Sequence, residues 1–199
     1  MPGPRKDRLV WLAPVLLFAS FLEPSSAWTA PPADKPPLPA APAPRSEKPG
    51  PAPPGKPLAP QAIIETDRGK LTFDLFPDAA PKTVARFSEL VKKGFYNGLT
   101  FHRVVPKFLV QGGDPSGDGT GGSGQKIPAE FNEKKHMVGT AGMARTRDPD
   151  SADSQFYICL EAQPFLDGKY TVFGQVVEGL EVLAKIQEND VMRKVWLRP

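Results

Sequence analysis

A mainly β fold is what this sequence predicts: a closed, eight-stranded antiparallel barrel capped by two α-helices. Three observations predict it. From residue 62 onward, short runs of alternating apolar and polar residues recur between Gly-, Pro- and Asp-rich connections. Only two stretches carry helical periodicity, and no internal repeat is visible. Closing many short antiparallel strands into a barrel removes the unpaired edges that an open sheet would present.

The first strands are Ala62–Thr66 and Lys70–Leu75, joined across Asp67-Arg68-Gly69 as a hairpin. In the second, Leu71, Phe73 and Leu75 alternate with Thr72 and Asp74, as in a strand half-buried on a core. Pro81 then opens a helix whose Val84, Phe87, Leu90 and Val91 share one face, and Gly94 follows its last turn. Further strands are expected at Leu99–Val104, Phe108–Gln111, Met137–Ala144, Gln155–Leu160 and Tyr170–Val176. Leu180, Leu183 and Ile186 mark a second helix, and Val191–Leu197 returns as a last strand.

Ahead of these elements the chain reads as an address and a spacer. Arg5, Lys6 and Arg8 precede an apolar run from Leu9 to Leu22 that ends in Ser25-Ser26-Ala27. Residues 1–27 are therefore expected to be an export signal, cleaved after Ala27. The run falls short of the roughly 20 apolar residues that span a bilayer, and Pro14 interrupts it, so membrane attachment is expected only if the segment stays uncleaved. Residues 28–61 are dominated by Pro and Ala, too poor in apolar groups to offset the entropy of ordering, and are expected to form a disordered linker. Residues 62–199 are expected to form one catalytic domain.

Composition excludes several classes. The formal charge is +3, with 25 Lys and Arg against 22 Asp and Glu, which gives no electrostatic case for nucleic acid. A single cysteine, Cys159, cannot form an internal disulfide, and with only two histidines a zinc site is not expected. Cys159 lies in an apolar strand and is expected to be buried and unreactive.

The segment Phe101-His102-Arg103-Val104-Val105-Pro106-Lys107-Phe108-Leu109-Val110-Gln111-Gly112-Gly113-Asp114 closely resembles the signature of the cyclophilins. Three further blocks follow in family order: Gly119-Thr120-Gly121-Gly122, Gly142-Met143-Ala144-Arg145-Thr146 leading to Ser154-Gln155-Phe156-Tyr157-Ile158, and Leu166-Asp167-Gly168-Lys169-Tyr170-Thr171-Val172-Phe173-Gly174. The resemblance runs from Ala62 to the C-terminus. It implies peptidyl-prolyl cis–trans isomerase activity on proline-containing peptides and folding proteins, with no metal or organic cofactor. With the export signal it implies a monomeric protein of the periplasm, or a secreted one, that assists exported proteins to fold.

The chemistry such an enzyme must perform is rotation about an X-Pro amide, whose partial double-bond character sets a barrier of roughly 18–20 kcal/mol. No bond breaks. A catalyst has to favour the twisted amide, whose nitrogen has regained a lone pair. Arg103 matches the family's catalytic arginine, and its guanidinium stays charged at any ordinary pH. Gln111 matches the glutamine that orients it. Phe108, Leu109, Tyr157, Phe165 and Leu166 match the apolar proline pocket, with Tyr170 beside it. Ala144, Arg145 and Thr146 match the segment that pairs with substrate backbone as an added strand, while Gly119, Gln155 and His102 complete the implied substrate rim.

His102 invites an acid–base role, but rotation transfers no obligatory proton, and alternation puts His102 and Arg103 on opposite strand faces. A hydrogen-bonded structural histidine is the expectation. His136 follows the charged run Glu133-Lys134-Lys135 and is expected in a solvated loop. Asp114, Asp118 and Gly119–Gly124 miss both the calcium-loop and phosphate-loop patterns and read as turns. Compared with many eukaryotic members, Phe165 replaces a tryptophan, which removes an indole N–H donor and counts against cyclosporin binding. Tyr170 replaces a histidine, Tyr157 a phenylalanine and Leu109 a methionine, all keeping an apolar or aromatic wall. The stretch 145–153 is more charged than usual for the family.

Overall fold

A computed structural model describes residues 59–198. The signal and nearly all of the linker expected from sequence lie outside the described residues. Eight strands form one antiparallel sheet: β1 Gln61–Thr66, β2 Gly69–Leu75, β3 Arg103–Val105, β4 Leu109–Gly112, β5 Thr140–Met143, β6 Phe156–Cys159, β7 Val172–Glu178 and β8 Met192–Arg198. Their order is β3-β4-β6-β5-β7-β2-β1-β8. The two outer strands approach each other through a bridge between Thr100 and Val191, just ahead of each strand, with Met192 N–H donating to Leu99 O and Phe101 N–H to Asp190 O. The curled sheet is thus joined by this short contact rather than by a full β3–β8 ladder.

Helix α1, Pro81–Lys92, begins with proline where no intrahelical N–H is needed, and Gly94 ends it at φ +69°. Its apolar face inserts Phe87 into the barrel, where the ring meets Phe73, Tyr96, Phe156 and Phe173 at centroid distances of 5.1–5.8 Å. Edge-to-face and tilted pairs of this kind let the rings fill the barrel without voids. Helix α2 is a single turn, Leu180–Leu183; Leu183 and Ile186 are buried as the periodicity predicts, but Leu180 is exposed and Val182 is buried instead.

Two expected strands are shorter than their apolar runs. Phe101 exchanges hydrogen bonds with residues 189–190 while Arg103 pairs with Gln111, so the run beginning at Leu99 changes partners at His102 and β3 starts at Arg103. At the other, Met137 N–H donates to Thr140 Oγ1, Thr140 N–H to Met137 O, and Gly139 adopts φ +81°. That turn delays β5 to Thr140.

Strand alternation creates two cores from one sheet. Val110, Phe156 and Ile158 point into the barrel. Their neighbours Leu109, Tyr157 and Cys159 point outward into a second cluster with Leu166, against which Phe108, Ala144 and Tyr170 pack. The functional surface is built on this outer cluster.

Candidate active site

Arg103 on β3 stands opposite Gln111 on β4, which stands opposite Tyr157 on β6, which stands opposite Gly142 on β5. Register therefore lines these residues up across the outer face of four strands. Arg103 Nη1–H donates to Gln111 Oε1 at 3.3 Å, Gln111 Nε2–H donates to Gln155 Oε1 at 2.9 Å, and Gln155 Nε2–H donates to the carbonyls of Gly119 at 3.0 Å and Gly121 at 2.8 Å. A guanidinium only donates and a carbonyl only accepts, so both amides are oriented from the two ends of this relay. Arg103 itself is exposed, so its remaining N–H groups stay available to a ligand.

Beside Arg103 lies a cavity of about 300 Å³. Phe108 and Phe165 stack at 5.8 Å to form one wall. Tyr157 and Tyr170, edge to face at 5.9 Å, form the other, and Leu109 and Leu166 lie between. The close approach of Tyr157 to β5 requires glycine at 142, where an added Cβ would lie 2.5 Å from Cζ and Oη of the ring. Burial pushes the Tyr157 phenol well above its usual range, with Cys159 and Tyr170 adding to it. Cys159 behind the cavity is fully buried and its thiol is pushed up to about 12 by burial, then by the charge of Asp167. It is inert at neutral pH.

A second, polar hollow of about 340 Å³ adjoins the first across Gln111, Ala144 and Arg145. Gly119, Thr120, Gly121 and Gly122 form one side, Thr146 and Ser151 another. The Gly-rich side is shaped by Asp114, whose carboxylate accepts from the N–H groups of Ser116, Asp118 and Gly119. Burial alone would raise that carboxyl, but the N–H groups of Ser116, Gly119 and Gly121 outweigh burial and hold it below the usual range. Asp153 fixes the same loop by accepting from the N–H groups of Ser123 and Gly124 at 2.9 Å each. Asp114, and Asp118 which accepts from Thr120 N–H, are turn makers, as expected. Among the described residues no three His, Cys, Asp or Glu side chains converge as metal ligands do.

A family model for "Cyclophilin type peptidyl-prolyl cis-trans isomerase/CLD" matches residues 62–199. The chain belongs to the cyclophilins. A peptidyl-prolyl cis-trans isomerase of Synechococcus elongatus is 49% identical over 132 residues, covering 65% of this chain and 90% of that protein. Peptidyl-prolyl cis-trans isomerase B of Bacillus subtilis is 49% identical over 131 residues, covering 65% and 91%. Among solved structures, a Cryptosporidium parvum cyclophilin crystallised in the presence of the dipeptide Ala-Pro superposes with a TM-score of 0.66 at 29% identity, covering 70% of this chain and 99% of that one. The protein is a peptidyl-prolyl cis–trans isomerase.

In this cyclophilin the structure brings Arg103, Phe108, Leu109, Gln111, Ala144, Arg145, Tyr157, Phe165, Leu166 and Tyr170 around the apolar cavity. Gly119, Thr146 and Gln155 join the adjoining hollow. Arg145 spans both: its guanidinium lies 4.5 Å over the Tyr170 ring and donates to Lys169 O at 2.8 Å. Its own N–H and C=O enter none of the backbone hydrogen bonds among the described residues.

Two histidines depart from expectation. His102 lines neither cavity; its ring is buried next to Gly119 and neither nitrogen has a hydrogen-bond partner, so it is structural without the bond expected of it. His136 is not in a solvated loop: its side chain is fully buried, with Nδ1 2.9 Å from Asp167 Oδ1 and Nε2 2.8 Å from the Tyr157 hydroxyl. The charged run before it misled, because Lys135 turns to the outer oxygen of Asp167 while His136 turns inward. Sequence reasoning also missed Lys126, Ser151 and Asp153 in the polar hollow, whose only signal was proximity to the Gly-rich and Arg145 blocks.

Proposed function

We propose that this isomerase works by presenting the Arg103 guanidinium to the nitrogen of a prolyl amide whose ring sits in the apolar cavity. The observation that carries this reading is the juxtaposition of one exposed, amide-oriented cation with a cavity walled by Phe108, Phe165 and Tyr157. As the peptide bond twists, conjugation is lost and the nitrogen becomes a hydrogen-bond acceptor, so Arg103 binds the twisted state more tightly than either planar one. The apolar walls lower the local dielectric and strengthen that bond. Gln111 keeps the guanidinium aimed, and the unpaired backbone of Arg145 offers the peptide a strand to lie against.

The cellular reading is assistance to exported proteins as they fold, in the periplasm. Its support is the basic, apolar and small-residue order of residues 1–27 followed by a Pro- and Ala-rich spacer. Mass spectrometry of the protein from its host tests it: a mature terminus at Trp28 is expected, and an intact Met1 would contradict export. For the mechanism, a protease-coupled assay on an Xaa-Pro peptide compares wild type with Arg103→Ala. A loss of about a hundredfold in kcat/KM is expected, as for removal of one charged transition-state donor. Equal rates would discard the role of Arg103.

A further inference from the structure

We infer that His136 is a positioning residue for proline binding: it clamps the two walls of the apolar cavity together and takes up the Tyr157 hydroxyl, so that a tyrosine can serve as an apolar wall. The inference rests on the assignment of that cavity to the substrate proline. Four hydrogen bonds to three residues converge on this one buried histidine. Its ring bonds the Tyr157 hydroxyl at 2.8 Å on β6. Its Nδ1 and its backbone N–H both bond Asp167 Oδ1 at 2.9 Å, immediately after the helical turn Pro164–Leu166 that carries Phe165 and Leu166. Its carbonyl accepts from Gln163 N–H at 2.7 Å, immediately before that turn. Both ends of the lip that bears Phe165 are therefore tied to His136. Gln163 Nε2–H also reaches Lys107 O at 3.1 Å, next to Phe108, so both aromatics of the opposite wall share the anchor.

The chemistry of the three groups fixes the tautomer of a neutral His136 ring. Asp167 is held below the usual carboxylate range, first by the His136 backbone N–H and then by its ring. A carboxylate accepts only, so Nδ1 carries the imidazole proton toward it. In the neutral ring Nε2 is then an acceptor, and the Tyr157 O–H donates to it. The ring planes lie within 16° of each other, as an in-plane bond of this kind produces. Tyr157 thus spends its one hydroxyl proton behind the cavity and shows the proline a ring without a free polar hydrogen. With histidine removed, the hydroxyl is buried without a partner, and it either drags the ring toward water or draws water into the wall.

The test uses the full chain and two readouts. In 15N spectra, which contain only two histidines, His136 is expected with a protonated Nδ1 and a bare Nε2 at neutral pH, and Tyr157→Phe is expected to shift the Nε2 resonance. A proton on Nε2, or no shift in Tyr157→Phe, overturns the inference. In the peptide assay, His136→Leu is expected to lose about tenfold in kcat/KM, chiefly through KM, and adding Tyr157→Phe is expected to recover most of it, because the orphaned hydroxyl goes too. A folded His136→Leu with wild-type kcat/KM, or a double variant no better than the single, overturns it; a merely structural histidine would lower Tm alone. Should His136→Leu fail to fold, the nitrogen spectra decide. A wild type whose spectra are as expected but which shows no proline-dependent rate would sink the cavity assignment and leave the clamp itself standing.

Discussion

Replacing Gln155 by leucine cuts the hydrogen-bond relay that joins β3 and β4 to the Gly-rich loop. Gln155 makes three hydrogen bonds: it donates to the carbonyls of Gly119 and Gly121 and accepts from Gln111 Nε2. Leucine occupies similar space and makes none. At about 1 kcal/mol net for each bond, stability should fall by about 2–3 kcal/mol. Only the bond to Gln111 bears on rate. Without it the Gln111 amide can turn its NH2 toward Arg103, where two donors face each other, and each ~1.4 kcal/mol lost in aiming the guanidinium is tenfold in rate. The expected outcome is a kcat/KM about tenfold below wild type in the protease-coupled assay, on protein shown to be folded by its thermal transition. Gln155→Glu supplies the control: its carboxylate still accepts from Gln111 but repels the two loop carbonyls, so it should be destabilised yet keep more rate than Gln155→Leu. A folded Gln155→Leu enzyme at wild-type rate would refute the relay.

Three other outcomes depend on single contacts. Gly142→Ala places a methyl 2.5 Å from the Tyr157 ring, so the wall must shift, and kcat/KM should fall about tenfold in the same assay. Lys107 sits at φ +61° after Pro106 in the β3–β4 turn, so Lys107→Gly should raise stability by about 1 kcal/mol in urea titration; an unchanged midpoint would refute strain there. Because the Asp167 carboxyl is held low in the folded state, its contribution is present above about pH 4 and is lost as pH falls through its folded value. Denaturation midpoints of wild type and Asp167→Asn should therefore differ at pH 7 and converge in acid.

How much of this was legible in the chain depends on the range of the interaction. The alternation along Leu109-Val110-Gln111 and Phe156-Tyr157-Ile158-Cys159, which puts Gln111 and Tyr157 on the outer face and Val110 and Ile158 in the barrel, is a local property of the chain. The family motifs placed Arg103 beside the aromatic residues that wall the cavity. Strand ends were less legible, because the hydrogen-bond partners of Phe101 and the turn at Met137–Thr140 are set by segments distant in sequence or by one side chain. His136 was misplaced for the same reason: its neighbours are charged, while its partners, Tyr157 and Asp167, lie 21 and 31 residues away. The polar hollow depends on which residues the Gly-rich loop folds against, and no local pattern around Lys126 or Asp153 encodes that.

The most direct measurement is the rate at which a bound Xaa-Pro peptide interconverts on the enzyme, followed by NMR exchange between its cis and trans resonances at saturating protein. If a cation stabilises the twisted amide, Arg103→Ala should slow that interconversion about a hundredfold while the peptide's Kd stays within about threefold. An on-enzyme rate that survives the loss of Arg103, or a rate that falls only because the peptide no longer binds, would contradict the account.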